Sequence, residues 1–540
     1  MASWTVQPGN VYIRDLGLNE LGFYYDSHIN GTADTVGHTT IAVSPTARHC
    51  VAPQSITRAW CHLKNLFPLL AATVQLRNSL PQFVVTPQRL ASLVQGEITV
   101  SSIASAEEAH AAAVYAINGA RMLSDDLLSR IIVLARTDDT STYHVLIQVA
   151  HLITDGVSNT SILRTFLNIL SSPEELKGPD VKARLALAVA AESLVPTVEN
   201  SARQRWRRAA GQIICQLQDA KRTGGQTLPR SFGPIATRLP ARSGWLRTYF
   251  SAADSSRFIQ NCRAHGITVG NALPVLAQVG LARLLCRRFV RGEMSLEEWE
   301  FRRQQPYHTA GPINLRPFLD KAWYQAGGYD SASVNVAYFY FTSSFTPLGP
   351  KSLALGDSVP ELAKLMSPQR FLLRCNKMKK LASRYLTHPL FFEIGASRLA
   401  NKPALQKNVA AKWEKNPESY VQPGELERHN VSPMEQVKYG PIMSHGWSTF
   451  GNTDDKLPRE YPIPKAGASS SPVLRLQKHE GFLHCRTGEL YLGSGTIGGQ
   501  MYFSLNWDRN VFSDEVVHEW VNETQQAAHF YLGDSASSKL

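Results

Sequence analysis

The chain has 540 residues, and its 56 lysines and arginines against 44 aspartates and glutamates give a formal net charge of +12. Because 43% of the residues are apolar and 9% are aromatic, the chain can bury a large core, which excludes an intrinsically disordered protein. No apolar run reaches the ~18 residues that cross a bilayer, and no apolar leader opens the chain, so we expect neither a transmembrane segment nor secretion.

In the first half, helical and strand patterns alternate. Apolar residues with a helical period, after a serine that can cap a helix, predict a helix over 55–70, and an alanine-rich run predicts another over 106–120. Two β-rich runs, 130–136 and 142–150, flank a polar turn and predict a hairpin. The period then changes, and a helix is expected over 158–170. A further alanine-rich helix is expected to begin at residue 181.

The second half begins after a glycine- and proline-containing connection near residue 225. There we predict strands over 245–250, 331–341, 481–484, 489–492 and 500–507, with helices over 252–265, 269–285 and 513–531. Mixed strands and helices in two halves predict an α/β protein. We place an N-terminal subdomain at 1–225, a C-terminal subdomain at 226–532 and a flexible tail at 533–540.

Positive charge is concentrated in short clusters of arginine and lysine at 203–208, 287–291 and 370–380. We interpret these clusters as solvated surface, with an acidic ligand as the alternative. No cluster has the interleaved glycines and aromatics of a single-strand binder, so we expect no nucleic-acid partner. The seven cysteines include no Cys-x-x-Cys pair, which predicts free thiols and no metal site.

The strongest chemical signal is the segment HLITDG, in which His151 follows a predicted strand and Asp155 and Gly156 precede a predicted helix. An imidazole held at a strand end can take a proton from an attacking hydroxyl near neutral pH. A buried carboxylate at Asp155 needs a partner such as arginine, so we predict a structural role for it. Gly156 would supply a turn geometry that a Cβ would hinder. The alternative is that His151 is a hydrogen-bonded core histidine.

This segment resembles the H-x-x-x-D-G motif of the chloramphenicol-acetyltransferase-like superfamily, which includes acyl-CoA-dependent O-acyltransferases and peptide-synthetase condensation domains. Weaker similarities continue along the chain, at 57–72, 262–271, 311–317 and 449–454. The last of these resembles the S-x-G-x-x-D segment of fungal members, whereas the D-F-G-W-G box of plant members is absent. The resemblance therefore favours the fungal branch.

The resemblance implies two similar subdomains, each a mixed sheet with flanking helices, with an active-site channel between them. Acyl-CoA would be the co-substrate, no cofactor or metal would be bound, and His151 would act as general base without an acyl-enzyme. It also implies that Arg316 pairs with Asp155. Ser448 and Thr449 are candidate donors to the oxyanion, and the protein is expected to be a monomer.

The chain finishes in Ser538, Lys539 and Leu540, and a C-terminal S-K-L is the address that the peroxisomal import receptor reads. Together with the fungal resemblance, this address makes the acyltransferases of mannosylerythritol lipid biosynthesis the nearest comparison. It implies transfer of a fatty acyl group to a glycolipid hydroxyl. The alternatives are a fungal acetyltransferase of a sesquiterpenoid or another secondary metabolite, a stand-alone condensation-type domain that forms amides, and a binding protein that has lost catalysis.

Two further patterns favour structural interpretations. Residues 493–498 fit G-x-G-x-x-G, but a strand pattern follows where a nucleotide site requires a helix, so we predict no such site. The aromatic run at 338–341 is predicted to be core, with the lining of an acyl channel as the alternative.

Overall fold

The computed structural model describes residues 3–118, 121–172, 180–196, 200–230, 241–343, 353–400, 441–464, 471–486 and 488–533. The C-terminal Ser538, Lys539 and Leu540 lie outside the described residues. The strands, numbered in chain order, are β1 Thr5–Gln7, β2 Val11–Asp15, β3 Asp34–Val43, β4 Thr73–Arg77, β5 Leu80–Val85, β6 Ile98–Ile103, β7 Ser129–Arg136, β8 Thr142–Ala150, β9 Ser243–Tyr249, β10 Tyr307–Asn314, β11 Val336–Ser343, β12 His445–Asn452, β13 Glu460–Tyr461, β14 Leu474–Leu483, β15 Leu490–Ile497 and β16 Gln500–Asp508.

The helices whose full extent is described are numbered in the same way. They are α1 Leu18–Asn30, α2 Pro53–Leu66, α3 Pro87–Ala91, α4 Ala106–Tyr115, α5 Gly156–Leu170, α6 Val181–Leu187, α7 Ser201–Ala220, α8 Ala252–Ala264, α9 Val269–Val290, α10 Leu296–Arg302, α11 Lys321–Gln325, α12 Leu362–Leu365, α13 Pro368–Leu386 and α14 Asp514–Leu532. Short 3-10 turns, including His151–Ile153, connect several of these elements.

Three sheets organise these elements. The N-terminal sheet has the order β13-β14-β3-β8-β7-β6, the C-terminal sheet has the order β11-β10-β12-β15-β16-β9, and a smaller sheet has the order β1-β2-β5-β4. Both large sheets are mixed, since β6 runs parallel to β7, and β12 runs parallel to β10 and β15, while the other pairs are antiparallel. The α/β fold class predicted from the sequence is therefore confirmed.

The two halves share strands. β13 and β14 follow residue 225 by more than two hundred positions, yet β14 pairs with β3 along almost its full length. The boundary that we predicted near residue 225 therefore does not follow the sheets throughout. Strand patterns in the sequence predict where a strand forms, whereas its partner depends on the tertiary packing of the whole chain.

The sheets also meet edge to edge. From β9, the outer strand of the C-terminal sheet, Trp245 Nε1 donates to the Gly481 carbonyl at 3.0 Å and Arg247 Nη1 donates to the His479 carbonyl at 2.7 Å. Because both carbonyls belong to β14, these contacts close one side of the space between the halves.

The C-terminal core is built around α9 and α14. Trp520 Nε1 donates to the Ala277 carbonyl at 3.0 Å in the middle of this contact. By length and composition α9 could cross a membrane, and among the described helices it alone passes that test, but most of it is buried inside the protein. We therefore interpret α9 as a core helix.

The basic cluster at 287–291 is largely paired within the protein. Arg288 Nη2 lies 3.1 Å from Glu519 Oε2, and Arg287 pairs with Glu523, so both arginines face α14. The prediction of a solvated face is wrong for these two residues. Helical periodicity showed that they share a face of α9, but the acidic residues opposite are more than two hundred positions away in sequence.

Two predicted elements change their bounds for local reasons. The helix predicted over 55–70 ends at Leu66, because Pro68 disfavours helical geometry at the preceding residue and the chain turns there. The strand predicted over 331–341 begins only at Val336. The carbonyls of Ser331 and Ser333, which precede it, instead accept hydrogen bonds from Arg316.

All seven cysteines lie in described segments and are free, as predicted. The helix predicted over 106–120 ends at Tyr115, and its last two positions lie outside the described residues. The stretch 493–498 lies in β15 and the turn after it, and β16 follows as predicted, so a strand and not a helix follows these glycines.

Candidate active site

The candidate site forms where β8 ends and α5 begins. His151 is the first residue after the strand, and a 3-10 turn carries the chain from it to Asp155, which caps the N-terminus of α5. The His151 backbone N–H donates to the Ala33 carbonyl at 3.2 Å, which holds the turn against the residue that precedes β3. The sheet therefore fixes the position from which the imidazole projects.

The orientation of the His151 ring is fixed on two sides. The ring stacks on Phe23 with centroids 3.9 Å apart and planes 8° from parallel. Its Nδ1 lies 2.7 Å from the Thr154 carbonyl, which only accepts, so Nδ1 carries the proton of the neutral ring. Nε2 then holds the lone pair, and it makes no hydrogen bond with any residue that the structure describes. Burial and the positive charge of Arg486 lower the pKa of His151, so the ring is a neutral base at neutral pH.

His151 lines a cavity of about 280 Å³ between the two halves. From the N-terminal half, Phe23, Ile147 and Asn159 contribute to its wall, and from the C-terminal half Tyr338 and Tyr491 do so. The alternative that His151 is a hydrogen-bonded core histidine is not supported by this arrangement, because one ring nitrogen has no partner in the described part of the chain and the ring borders the cavity.

Asp155 is saturated with hydrogen bonds and holds the two halves together. Its Oδ1 accepts from the backbone N–H groups of Val157 and Ser158 at 3.1 and 3.0 Å, which caps α5. Its Oδ2 accepts from Arg316 Nη1 at 2.8 Å and from the Asn335 backbone N–H at 2.9 Å. Burial opposes the charged carboxylate, but the charge of Arg316 and these hydrogen bonds prevail and lower the pKa of Asp155.

The expected pairing of Arg316 with Asp155 is thus present, and it is enclosed by protein. Both side chains are buried, and Arg316 Nη2 also donates to Ser158 Oγ at 2.9 Å and to two backbone carbonyls. Both carboxylate oxygens of Asp155 already accept hydrogen bonds from protein groups. This geometry supports a structural role for Asp155.

Gly156 leaves space for a neighbouring ring and does not form an unusual turn. It begins α5 without a positive φ, so the turn geometry that we predicted for it is wrong. A Cβ at this position would lie 2.9 Å from Cε1 of Phe450, a ring that lines the cavity. The missing side chain therefore leaves room for Phe450.

The two candidate oxyanion donors differ in position. Ser448 is buried and lines the cavity, whereas the next residue of β12, Thr449, is exposed and lies beside Gly270. Ser448 Oγ makes no hydrogen bond with a described residue, although it lies near enough to the Tyr491 hydroxyl to oppose the rise in the pKa of Tyr491 that burial causes. Alternation along the strand explains the difference, and only Ser448 remains in contact with the site.

Phe23 and Arg486 also belong to the site, and neither was predicted from the sequence. Arg486 lies over the Phe23 ring, with Cζ 5.1 Å from the ring centroid, and forms an ion pair with Asp26 at 2.7 Å between Nε and Oδ2. Both Phe23 and Asp26 belong to α1, which was not predicted. Both ends of α1 have capping contacts. At the N-terminus the Glu20 side chain accepts a hydrogen bond from the Gly17 N–H at 2.6 Å, and at the C-terminus Gly31 has φ 61°.

The aromatic run at 338–341 divides between the two predicted roles. Tyr338 lines the cavity, while Phe339 and Phe341 are buried in hydrophobic core. Arg222 and Arg398 lie against the ring of Tyr340. Successive side chains of β11 point to opposite faces of the sheet, so one run serves both purposes.

Replacing Arg486 with glutamine is expected to raise the pKa of His151, because the nearby positive charge that disfavours the imidazolium is lost. An imidazole accepts a proton only when it is deprotonated, so the acidic limb of any pH–rate profile that depends on His151 should move to higher pH. The measurement is that pH profile, with Arg486→Lys as the control that keeps the charge. An unmoved acidic limb in a folded Arg486→Gln protein would show that Arg486 does not tune His151.

Comparisons with known proteins support the fold. No protein-family model and no curated protein matches the chain. Among solved structures, the trichothecene 15-O-acetyltransferase from Fusarium sporotrichioides is 12% identical, with a TM-score of 0.66 over 98% of each chain. The first condensation domain of the calcium-dependent antibiotic synthetase is 11% identical, with a TM-score of 0.59 over 97% of this chain and 96% of that domain.

A third structure is the starter condensation domain of rhizomide synthetase, crystallised with C8-CoA and Leu-SNAC. It is 12% identical, with a TM-score of 0.53 over 97% of this chain and 95% of that domain. Each of these similarities extends over nearly the whole of this chain and of the solved structure. The chain therefore has the two-subdomain fold that these acetyltransferases and condensation domains share.

Proposed function

We propose that the protein is an acyl-CoA-dependent O-acyltransferase in which His151 is the general base. The observation that carries this proposal is the neutral imidazole of His151, whose Nδ1 is anchored to a carbonyl and whose Nε2 lone pair has no partner among the described residues, at a cavity between the halves. Such a nitrogen can accept the proton of a hydroxyl that enters the cavity. The likeness to an enzyme named as an O-acetyltransferase supports the same reaction class.

In the proposed reaction the acceptor oxygen attacks the thioester carbonyl while its proton passes to His151 Nε2. The tetrahedral intermediate then collapses, the C–S bond breaks, and the imidazolium returns the proton to the leaving CoA sulfur. The products are an ester and free CoA, and no acyl-enzyme forms. Because the Nδ1 hydrogen bond holds one tautomer, Nε2 is the atom that handles the proton throughout.

Ser448 is the proposed donor to the oxyanion of that intermediate. A buried hydroxyl that makes no hydrogen bond with a described residue is costly in a ground state, and it can be retained where a charge develops during the reaction. We do not assign this role to Thr449, because its side chain is exposed.

We further propose that the acyl group is a fatty acyl chain and that the acceptor is a glycolipid such as mannosylerythritol. Apolar residues from both halves, among them Ile162, Leu163 and Leu457, line the cavity and suit an alkyl chain. The S-K-L ending supports import into the peroxisome, where fatty acyl-CoA is handled. We propose a monomer whose acyl transfer uses acyl-CoA as co-substrate and needs no cofactor.

Two other functions have support from the comparisons. The trichothecene acetyltransferase favours acetyl transfer to a sesquiterpenoid or another secondary metabolite. The condensation domains favour formation of an amide on a carrier-bound substrate. The three candidates differ in acyl chain length and in whether the acceptor is an alcohol or an amine.

The experiment offers the purified full chain acetyl-CoA or long-chain acyl-CoA together with mannosylerythritol, a sesquiterpenoid alcohol or an amino-acid thioester. Release of the CoA thiol is followed by a thiol reagent and the products by mass spectrometry. Acceptor-dependent ester formation from long-chain acyl-CoA supports the proposal. Esters from acetyl-CoA alone support the first alternative, and amides without esters support the second. Thiol release that no acceptor increases would contradict all three.

Removing Ser538, Lys539 and Leu540 is expected to leave activity in vitro unchanged and to move the protein from peroxisomes to the cytosol. The reason is that an import receptor reads the free C-terminal tripeptide as an address. Fluorescence microscopy of the tagged chain, with the tag at the N-terminus, provides the measurement. A truncated protein that still reaches peroxisomes would refute the assignment of the tail.

A further inference from the structure

The N-terminal sheet carries a cluster of metal-ligating side chains on the face that α4 covers. His38 of β3 and Glu480 of β14 are directly opposite in the antiparallel register, and His110 of α4 lies above them. The ligand atoms of these three residues all lie within 4.8 Å of one another. His38 and Glu480 are buried, while His110 is partly exposed.

The cluster does not satisfy its own hydrogen-bonding groups. His38 Nε2 is hydrogen-bonded to His144 Nδ1 at 2.9 Å, whereas His38 Nδ1 is buried and makes no hydrogen bond with a described residue. The nearest carboxylate oxygen to that nitrogen is Glu480 Oε2, at 4.0 Å. This separation is too long for a hydrogen bond, and it exceeds by about half an ångström the ~3.3–3.6 Å that tetrahedral bonds of ~2.0–2.2 Å set between two donors, so the two side chains would approach each other when an ion binds.

The nearby lysine does not occupy the space between His38 Nδ1 and Glu480 Oε2. Lys478 Nζ lies 2.9 Å from Glu480 Oε1, so the lysine engages one carboxylate oxygen and leaves Oε2 towards His38.

Other neighbours leave the cluster accessible. His479 has its Nδ1 at 3.0 Å from Thr39 Oγ1 and lines the cavity, so it does not belong to the cluster. The ring of His110 packs beside Trp245 and Phe482, with centroids 5.5 and 5.8 Å away. These contacts orient the imidazole, and its partial exposure provides a path for an ion from solvent.

We propose that His38, His110 and Glu480 bind one divalent transition metal ion, for which Zn²⁺ is the best fit, and that this ion fastens α4 to β3 and β14. Two imidazoles and one carboxylate form a donor set that Zn²⁺ accepts, with water in the fourth position. His144 then holds the second nitrogen of His38 and fixes the orientation of that ligand. No metal was predicted from the sequence, which has no Cys-x-x-Cys pair. The three ligands come from distant segments, so their spacing gives no metal-binding pattern.

The test is a titration of the chelator-treated full chain with Zn²⁺, measured by isothermal titration calorimetry. X-ray absorption spectroscopy of the loaded protein then identifies the ligand atoms. We expect one ion per chain, bound through two imidazole nitrogens and one carboxylate oxygen, and a rise in the thermal-unfolding midpoint when Zn²⁺ is added. His110→Ala and Glu480→Gln should both lose this binding and the rise. His144→Asn should weaken the affinity by about 10- to 100-fold.

His265→Ala is the matched control, because it removes an exposed histidine at the end of α8 and should bind Zn²⁺ like the wild type. Circular dichroism of the metal-free proteins checks that each variant is folded, and His110→Ala is the decisive one because its side chain is only partly buried. Absence of Zn²⁺ binding by the wild type, or equal binding by the wild type and a folded His110→Ala protein, would overturn the proposal. This outcome is independent of acyl transfer.

Discussion

Replacing His151 with alanine is expected to lower kcat for acyl transfer by about 10²- to 10⁴-fold, which is the range that a positioned general base contributes. The acceptor hydroxyl would then have to lose its proton to water while its oxygen attacks the thioester. The effect should fall mainly on kcat, because the cavity wall still binds both substrates. The measurement is acceptor-dependent release of CoA thiol by the purified variant.

The fold should tolerate this change. The His151 side chain borders the cavity, and it contributes a stack on Phe23 and one hydrogen bond to a neighbouring carbonyl. His265→Ala, which alters an exposed histidine outside the cavity wall, is the control and should retain wild-type turnover. Full activity of a folded His151→Ala protein would remove the basis of the proposed mechanism.

Replacing Asp155 with alanine is expected to lower the free energy of unfolding by about 3–5 kcal/mol, because Arg316 would be left buried and unpaired. The same change removes the N-cap of α5, an effect of about 1 kcal/mol in other helices. Urea unfolding monitored by fluorescence measures the loss. Activity should decline with the folded fraction, since the pair joins the two halves that form the cavity.

Glu460→Ala is the matched control for Asp155→Ala. It also removes the acidic partner of an arginine, but Glu460 and Arg475 are both more than half exposed, so the expected loss is at most about 1 kcal/mol. A similar loss of unfolding free energy in the two variants would mean that burial does not increase the stabilisation by the Asp155–Arg316 pair.

Acid should weaken the same contact. Because folding lowers the pKa of Asp155, its contribution to stability is complete above the ordinary value of 3.8 and is lost as the pH falls through the lower folded pKa. Asp155→Asn cannot titrate at this position, so its stability should depend less steeply on pH in that range. An identical slope for wild type and Asp155→Asn would contradict the lowered pKa.

The chemical centre could be located from local sequence because its geometry is local. The hairpin of β7 and β8, the turn and α5 follow each other within about forty residues, and strand and helix periods predict each of them. The role of Asp155 followed from the cost of a buried unpaired charge. The identity of Arg316 as its partner came from the family resemblance alone, since no periodicity connects the two positions.

What could not be predicted depends on contacts between distant segments. Arg486 reaches the site through Phe23 and Asp26, and nothing in the sequence around it indicates a cation beside an imidazole. The helix α7 is highly polar, so its stretch was read as basic chain without an assigned element, although contacts such as Arg207 with Glu393 stabilise it. Ser448 and Thr449 could be separated only after the faces of β12 were known.

The placement of β14 has a consequence for any attempt to divide the chain. β3 lies between β14 and β8, so a fragment that stopped at residue 225 would expose one whole side of β3 with its backbone N–H and C=O groups unpaired. A long bare strand of this kind is a template for association with other chains. Halves expressed separately should therefore aggregate, and during synthesis the N-terminal sheet is incomplete until β14, which ends at Leu483, has been made.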